Sequence, residues 1–402
     1  MDEIIESGHG YEGSLSISHD ENHNNIYDRG MIYNINNIIG CGIFVIPGDV
    51  WRLVRSPGAA LILWLIGELG IMFPRAGELQ YIKETFYRRP ISIHIFSFAM
   101  IFVMRPTAIV ANTYFASLYL IYAIRGKNDL NPSGYFSEDS LIISFIAIAI
   151  LFFITAYHMY SRRLAVRINI AFAVVKCLAL ICIIIVGIVQ LQKTDYKKRW
   201  TSIFNNTISD QRTLIGNIGS YGNAMLEILF TYEGWNSANS LNYNLNPRYS
   251  QNSTIYSVIV AFSLYALFNV AYITVVNPED FVRINDASQI DAMSFGSTLI
   301  GKKLISILIV ISSCGAASAM IFSGSEIIAY ATKYDYITYP HSKIFCKFHY
   351  KFETPINALL FQFFYCSILI ILLPQVFNIL LLVHISVYPT ILYYGFIVFC
   401  LM

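Results

Sequence analysis

Two short stretches carry residue types and spacing from which a binding site can be built. The first is NNIIGCGIF at 36–44, inside an apolar run from 31 to 50. Gly40 and Gly42 each weaken a helix by roughly 1 kcal/mol, and Asn36 and Asn37 add uncapped amides. The second is FTYEGW at 230–235. A helix broken within a membrane exposes N–H groups at the start of one half and carbonyls at the end of the other. A carboxylate suits the first and an ammonium suits the second. An amino acid carries both groups a few ångströms apart, so two facing breaks can hold the backbone of any α-amino acid. The amides of Cys41 and Gly42 are expected to take the carboxylate, and the carbonyl of Ile38 to face the ammonium. The carbonyls of Phe230 and Glu233 would complete the ammonium site, with Ile39, Gly40 and Thr231 as the remaining binding residues of the two breaks. The competing reading is that the glycines only let helices pack closely.

Charged residues within apolar runs come next, being costly there and functional by default. Lys176 lies in VVKCLALICIIIVG, about two turns into its run, and Arg105 lies in FVMRPTAIVAN before Pro106. Arg105 reads as a brace between helices. Glu233 sits at the second break, where a half-helix N-terminus favours a carboxylate and where it can also face a cationic side chain. His94 and His384 read as packing residues. The sequence holds no catalytic triad, phosphate loop or metal-ligand spacing, so no enzyme activity, cofactor or metal is expected. GCGIFV lacks the third glycine and the preceding strand of a dinucleotide fingerprint.

The elements that must position these residues are membrane helices. The 402 residues are 56% hydrophobic and 13% charged, with a mean hydropathy of +0.55. Soluble domains carry about 25% charged residues, so the fold class is all-α integral membrane. A span needs about 20 apolar residues to cross roughly 30 Å of hydrocarbon. Candidate spans fall near 31–51, 58–73, 93–124, 140–160, 168–190, 217–242, 254–275, 303–331, 355–373 and 376–401, about ten transmembrane helices. Residues 1–30 read as a disordered cytosolic tail without an apolar leader, the first span serving as the insertion signal. Residues 31–402 form one transmembrane domain. Five spans separate the two breaks, which points to a five-plus-five inverted repeat, 31–190 and 217–402, with discontinuous first and sixth helices. The scattered basic residues, at a net charge of +2, offer no nucleic-acid footprint. Lysine and arginine counts nearly balance across the loops, so the cytosolic N-terminus rests on little positive-inside bias. Seven cysteines, none in a CxxC pair, suggest no disulfide framework.

At these residues the chain resembles the L-type amino acid transporters of the amino acid–polyamine–organocation superfamily. NNIIGCGIFVIP is similar to their first-helix signature and FTYEGWNSAN to their sixth. FVMRP, the fifth-helix lysine, PEDF at 278–281 and PRAGELQYIKETF at 74–86 also match, and NILLLVHISVYP at 378–389 resembles fungal methionine permeases. The resemblance implies sodium-independent transport of neutral amino acids, methionine or another large one, by alternating access, in the plasma membrane. It implies an aromatic gate at Phe230, a polar pocket residue at Asn236, and pocket-facing positions at Ala316 and Ser318. Lys176 would place its ammonium where sodium-coupled relatives hold an ion. Three departures stand out. Trp64-Leu65-Ile66-Gly67 runs straight into Glu68-Leu69-Gly70, shortening the second helix by roughly four turns, about 14 residues. The chain is expected to stop near the tenth helix, where the family usually has twelve. The loop 125–139 has no cysteine, so no disulfide-linked heavy chain is expected. A cationic amino acid carrier, a non-transporting amino acid sensor and a defective truncated copy stay open as alternatives.

Overall fold

The computed structural model describes residues 23–69, 90–125, 137–191, 200–201, 203–205, 214–234, 247–276, 299–337, 342–376 and 379–401. No strand occurs among them. In chain order the helices are α1 (His23–Ile38), α2 (Gly42–Val54), α3 (Pro57–Leu69), α4 (Pro90–Ala99), α5 (Arg105–Arg125), α6 (Glu138–Tyr160) and α7 (Arg162–Leu191). They continue with α8 (Leu214–Thr231), α9 (Pro247–Val275), α10 (Leu299–Lys333), α11 (Ile356–Val376) and α12 (Ile379–Leu401). A π-helical turn, Met100–Met104, joins α4 to α5. Helical backbone begins at His23, upstream of the expected domain start at 31. The expected tail otherwise lies outside the described residues.

Among the described residues six helices are long and apolar enough to cross a membrane, the α4–α5 rod counting as one. The pair Met31–Ile38 and Gly42–Val54 passes the same test together, bent by 42° at the first break. Pro57–Gly67 and Leu381–Leu392 are apolar but shorter. The protein is therefore an integral, multi-pass membrane protein. Helix α3 is described as far as Leu69, and the expected shortening of the second helix at Gly67–Glu68 continues into residues outside the described ones.

Local chemistry sets the ends of these rods. Arg55, at φ 63°, closes α2 in the left-handed region, and its N–H returns to the carbonyl of Trp51. Pro57 then opens α3, where its missing N–H costs nothing. The Ser137 hydroxyl caps α6 by accepting the Ser140 amide at 3.2 Å, with Glu138 and Asp139 in the first turn. Pro106 removes the donor that would meet the carbonyl of Phe102. The Tyr365 hydroxyl, from α11, supplies it at 2.9 Å.

The paired rods α5 and α10 form the buried centre, each with 67% of its span enclosed, while α6 and α7 bury 39% of theirs. Phe145, Phe152 and Phe153 on α6, and Leu178, Ile185 and Val189 on α7, are exposed, giving these helices the apolar outer face a bilayer requires. The broken pair α1–α2 packs against this centre, with α7 and α9 along α1 and α8 along α2.

Candidate functional site

The first break is a tight turn. Ile39 N–H still reaches the carbonyl of Ile35 at 2.9 Å, but Gly40 N–H turns back to Ile38 at 2.8 Å. Cys41 then starts the second half-helix, its carbonyl accepting the amides of Phe44 and Val45 at 3.0 and 3.1 Å. No backbone hydrogen bond among the described residues uses the N–H of Cys41, Gly42 or Ile43. These are the orphan donors expected at a helix N-terminus, and they include the two amides assigned to a carboxylate. The turn is buried: Ile38, Ile39 and Cys41 are each at most 2% exposed.

The segment expected to hold the second break starts where α8 ends, and it is described as far as Gly234. The amides of Tyr232 and Glu233 fold back to the carbonyls of Leu229 and Phe230 at 3.2 and 3.0 Å. Gly234 lies at φ +100°, a conformation glycine adopts without strain. The two breaks touch. A Cβ built on Gly42 would lie 3.0 Å from Thr231 Cα and 2.9 Å from its hydroxyl, and one on Gly234 would lie 2.4 Å from the Asn37 amide nitrogen. Asn37 Nδ2 donates to the carbonyl of Gly234 at 3.2 Å. Glycine at 42 and 234 is what allows the two unwound segments to meet.

Side chains from three other helices hold the breaks open. Lys176, 1% exposed on α7, donates to the carbonyls of Asn36 and Ile39 at 2.7 and 2.6 Å. A Cβ at Gly315 of α10 would lie 2.8 Å from that ammonium, so Gly315 makes the room it occupies. Ser312 of α10 donates to the carbonyls of Gly40 and Ile39 at 2.8 and 3.3 Å. The Tyr265 hydroxyl of α9 lies 2.9 Å from the carbonyl of Ile38 and 3.2 Å from that of Thr231, clasping one break to the other. Trp64 of α3 stacks edge-on against Tyr232 and Tyr265. Helix α3 thus touches the clasp directly.

The expected binding residues fall into three places. Ile38, Ile39, Gly40, Cys41, Gly42 and Thr231 come together at the junction, with Phe230 buried beside it. Ala316 joins them, since a Cβ on Gly40 would lie 3.3 Å from its methyl group. The Ile38 carbonyl, expected to face an ammonium, already accepts from Gly40 and Tyr265, and that of Phe230 accepts the Glu233 amide. Glu233 is half-buried. Ser318 points elsewhere: it donates to Asn169 Oδ1 at 2.9 Å and accepts from Tyr157 at 2.5 Å. Asn36 donates to the same Asn169 oxygen at 2.7 Å, so Ser318 supports the first break through a polar network. Asn236 lies outside the described residues.

Sequence reasoning missed Tyr265, Ser312 and Gly315. Each is a common residue type in an unbroken apolar run, and no spacing marks it. Among the described residues no group of three or more histidine, cysteine or carboxylate side chains can hold a metal.

Comparison with known proteins adds an independent observation. A family model described as amino acid permease matches residues 31–402. The chain is 28% identical over 380 residues to the large neutral amino acids transporter small subunit 2 of Homo sapiens, covering 90% of this chain and 64% of that protein. It is 27% identical over 349 residues to the b(0,+)-type amino acid transporter 1 of Mus musculus, covering 83% and 66%. It is 27% identical over 344 residues to the Asc-type amino acid transporter 1 of Mus musculus, covering 81% and 60%. The chain spans less than two thirds of the length of each of these relatives.

Proposed function

The chain belongs to the amino acid permease family, and from that premise we propose that it carries neutral amino acids across a membrane by alternating access. The observation that carries this reading is the contact between the two breaks, Gly42 on Thr231 and Asn37 on Gly234. Orphan amides at Cys41 and Gly42 take the α-carboxylate, and the carbonyls of the unwound segments take the α-ammonium once α9 and α8 release them. Phe230 and Asn236 border the side-chain pocket, and Ala316 closes it from α10. The two halves, 31–190 and 217–402, act as inverted repeats that rock around this point.

Transport is independent of sodium in this reading. The Lys176 ammonium fills a cradle of backbone carbonyls of the kind a cation would otherwise occupy. The first substrates to test are methionine and leucine, and the membrane is the plasma membrane, with the N-terminus cytosolic. The loop 125–139 carries no cysteine, so no partner subunit is disulfide-linked there.

The test uses the full chain in proteoliposomes loaded with one neutral amino acid and exposed to a labelled one. Saturable exchange, equal in sodium and in choline buffer, is the expected result. A ligand-induced rise in melting temperature without any flux would overturn the carrier reading in favour of a sensor. The shortening read in the sequence at Gly67–Glu68, on the helix whose Trp64 packs on the clasp, is the feature that motivates that second measurement.

A further inference from the structure

A second pair of ionisable groups lies within the membrane, apart from the breaks. Glu227, on α8, is 2% exposed, and His384, on α12, faces it with Nε2 3.5 Å from Oε1. Charge-assisted contacts close to about 2.7–2.9 Å, so this one is slack. The other carboxylate oxygen, Oε2, has no hydrogen-bond partner among the described residues. A permanently ionised carboxylate with a bare oxygen is a poor occupant of a membrane interior. A carboxylate that takes up a proton is a tolerable one.

The position ties the pair to the binding site. Glu227 lies one helical turn before Thr231, whose hydroxyl donates to the Glu227 carbonyl at 3.1 Å. Thr231 is the residue against which Gly42 packs. A change of charge at Glu227 therefore acts on the last turn of α8, at the second break. One carboxylate and one imidazole provide too few oxygen ligands for a hard metal cation, which leaves the proton as the fitting ligand.

Among the described residues the surrounding helices supply no substitute partner. Helix α8 packs on α2, α3 and α12, and α12 also packs on α5 and the π turn. The charged residues there are Asp49 and Arg52 on α2, Glu68 on α3, and Arg105 and Arg125 on α5, which also carries several tyrosines; the π turn has none. The side chain of Glu68 is not among those described. Of the described groups, the one acting electrostatically on Glu227 is His384. The histidine keeps 21% of its side-chain surface against 3% for the glutamate, so the imidazole is the less enclosed member of the pair.

We propose that Glu227 and His384 form a proton-binding site that loads and releases one proton per transport cycle, coupling amino acid movement to a proton gradient. This rests on the carrier reading above. In the empty state the carboxylate is charged and the imidazole neutral. The arriving proton binds at the imidazole or the carboxylate, and the pair becomes neutral overall as the second break moves.

The test uses the full chain in proteoliposomes enclosing a pH-sensitive dye, with an inward proton gradient and external L-leucine. The expected result is leucine-triggered internal acidification in the wild type. That signal is lost in Glu227→Gln and in His384→Gln, while leucine–leucine exchange continues. Infrared difference spectra between acidic and alkaline buffer should show a protonated-carboxyl band that Glu227→Gln removes, a readout that a merely structural pair would not give. Leucine exchange in the wild type without acidification overturns the coupling and leaves the carrier reading standing. Acidification that survives in both variants overturns the assignment to this pair. Absence of leucine flux in the wild type overturns the carrier reading, and the coupling with it.

Discussion

The contact between Gly42 and Thr231 can be tested by adding one methyl group. In Gly42→Ala the new Cβ would lie 2.9 Å from the Thr231 hydroxyl, 3.0 Å from its Cα and 3.1 Å from its Cβ. Ordinary carbon–carbon contacts sit at about 3.5–4.0 Å, so the gap must open by roughly half an ångström. One of the close atoms is backbone, which no rotamer change can move away. The N-terminus of α2 or the end of α8 must shift, and the amides of Cys41 and Gly42 shift with them. Overpacking of this size costs about 1–3 kcal/mol. If that cost falls on the substrate-bound state, binding weakens by about five- to 150-fold. The assay is equilibrium binding of labelled leucine to the purified full chain, with melting temperature as a check on folding. Gly219→Ala, on α8, is the control, since a Cβ there meets nothing within 4 Å. Wild-type affinity in a folded Gly42→Ala protein would refute the view that the two breaks form one site.

Three further outcomes follow from the same geometry. Tyr265→Phe keeps the ring stacked on Tyr232 and Trp64 but removes the hydroxyl shared by the Ile38 and Thr231 carbonyls; a loss of about 1–3 kcal/mol in stability of the substrate-free protein is expected in thermal melts. Lys176→Met strands the carbonyl of Asn36 and leaves that of Ile39 with only the Ser312 hydroxyl at 3.3 Å, and the desolvation cost it relieves offsets part of that loss; amino acid exchange in proteoliposomes should disappear, and exchange at the wild-type rate would show the ammonium to be dispensable. Tyr365→Phe leaves the Phe102 carbonyl without its donor and should lower stability by about 1–3 kcal/mol; a thermal-melt cycle with Pro106→Ala, which restores a backbone N–H, should recover part of it.

The parts of the site legible in the sequence were those that break a rule. Gly40-Cys41-Gly42 interrupts a run long enough to cross a bilayer, and Lys176 puts a charge where lipid excludes one. Trp64-Leu65-Ile66-Gly67 meeting Glu68 with no apolar length between them marks a shortened second helix in the sequence alone, since the residues after Leu69 lie outside the described ones. The parts that stayed hidden break no rule. Ser312 and Tyr265 are ordinary members of long apolar helices, and their role appears only when their hydroxyls meet the carbonyls of Ile38, Ile39 and Gly40. Glu227 was passed over although it puts a charge in an apolar run, and His384, read as a packing residue, lies 157 residues along the chain and meets it only in the fold. Ser318 shows the converse. It was expected at the pocket by resemblance, and its hydroxyl instead joins Asn169 and Tyr157.

By itself, the sequence determined the membrane class, the helical runs and the places where the backbone must leave a helix. Those follow from local quantities: the apolar length needed to cross a bilayer, the cost of glycine in a helix, and the cost of a charge in lipid. Only the tertiary structure decided which side chains satisfy the exposed backbone groups. That choice depends on which helices lie against the breaks, and on the room left by Gly42, Gly234 and Gly315 for Thr231, Asn37 and Lys176 to approach.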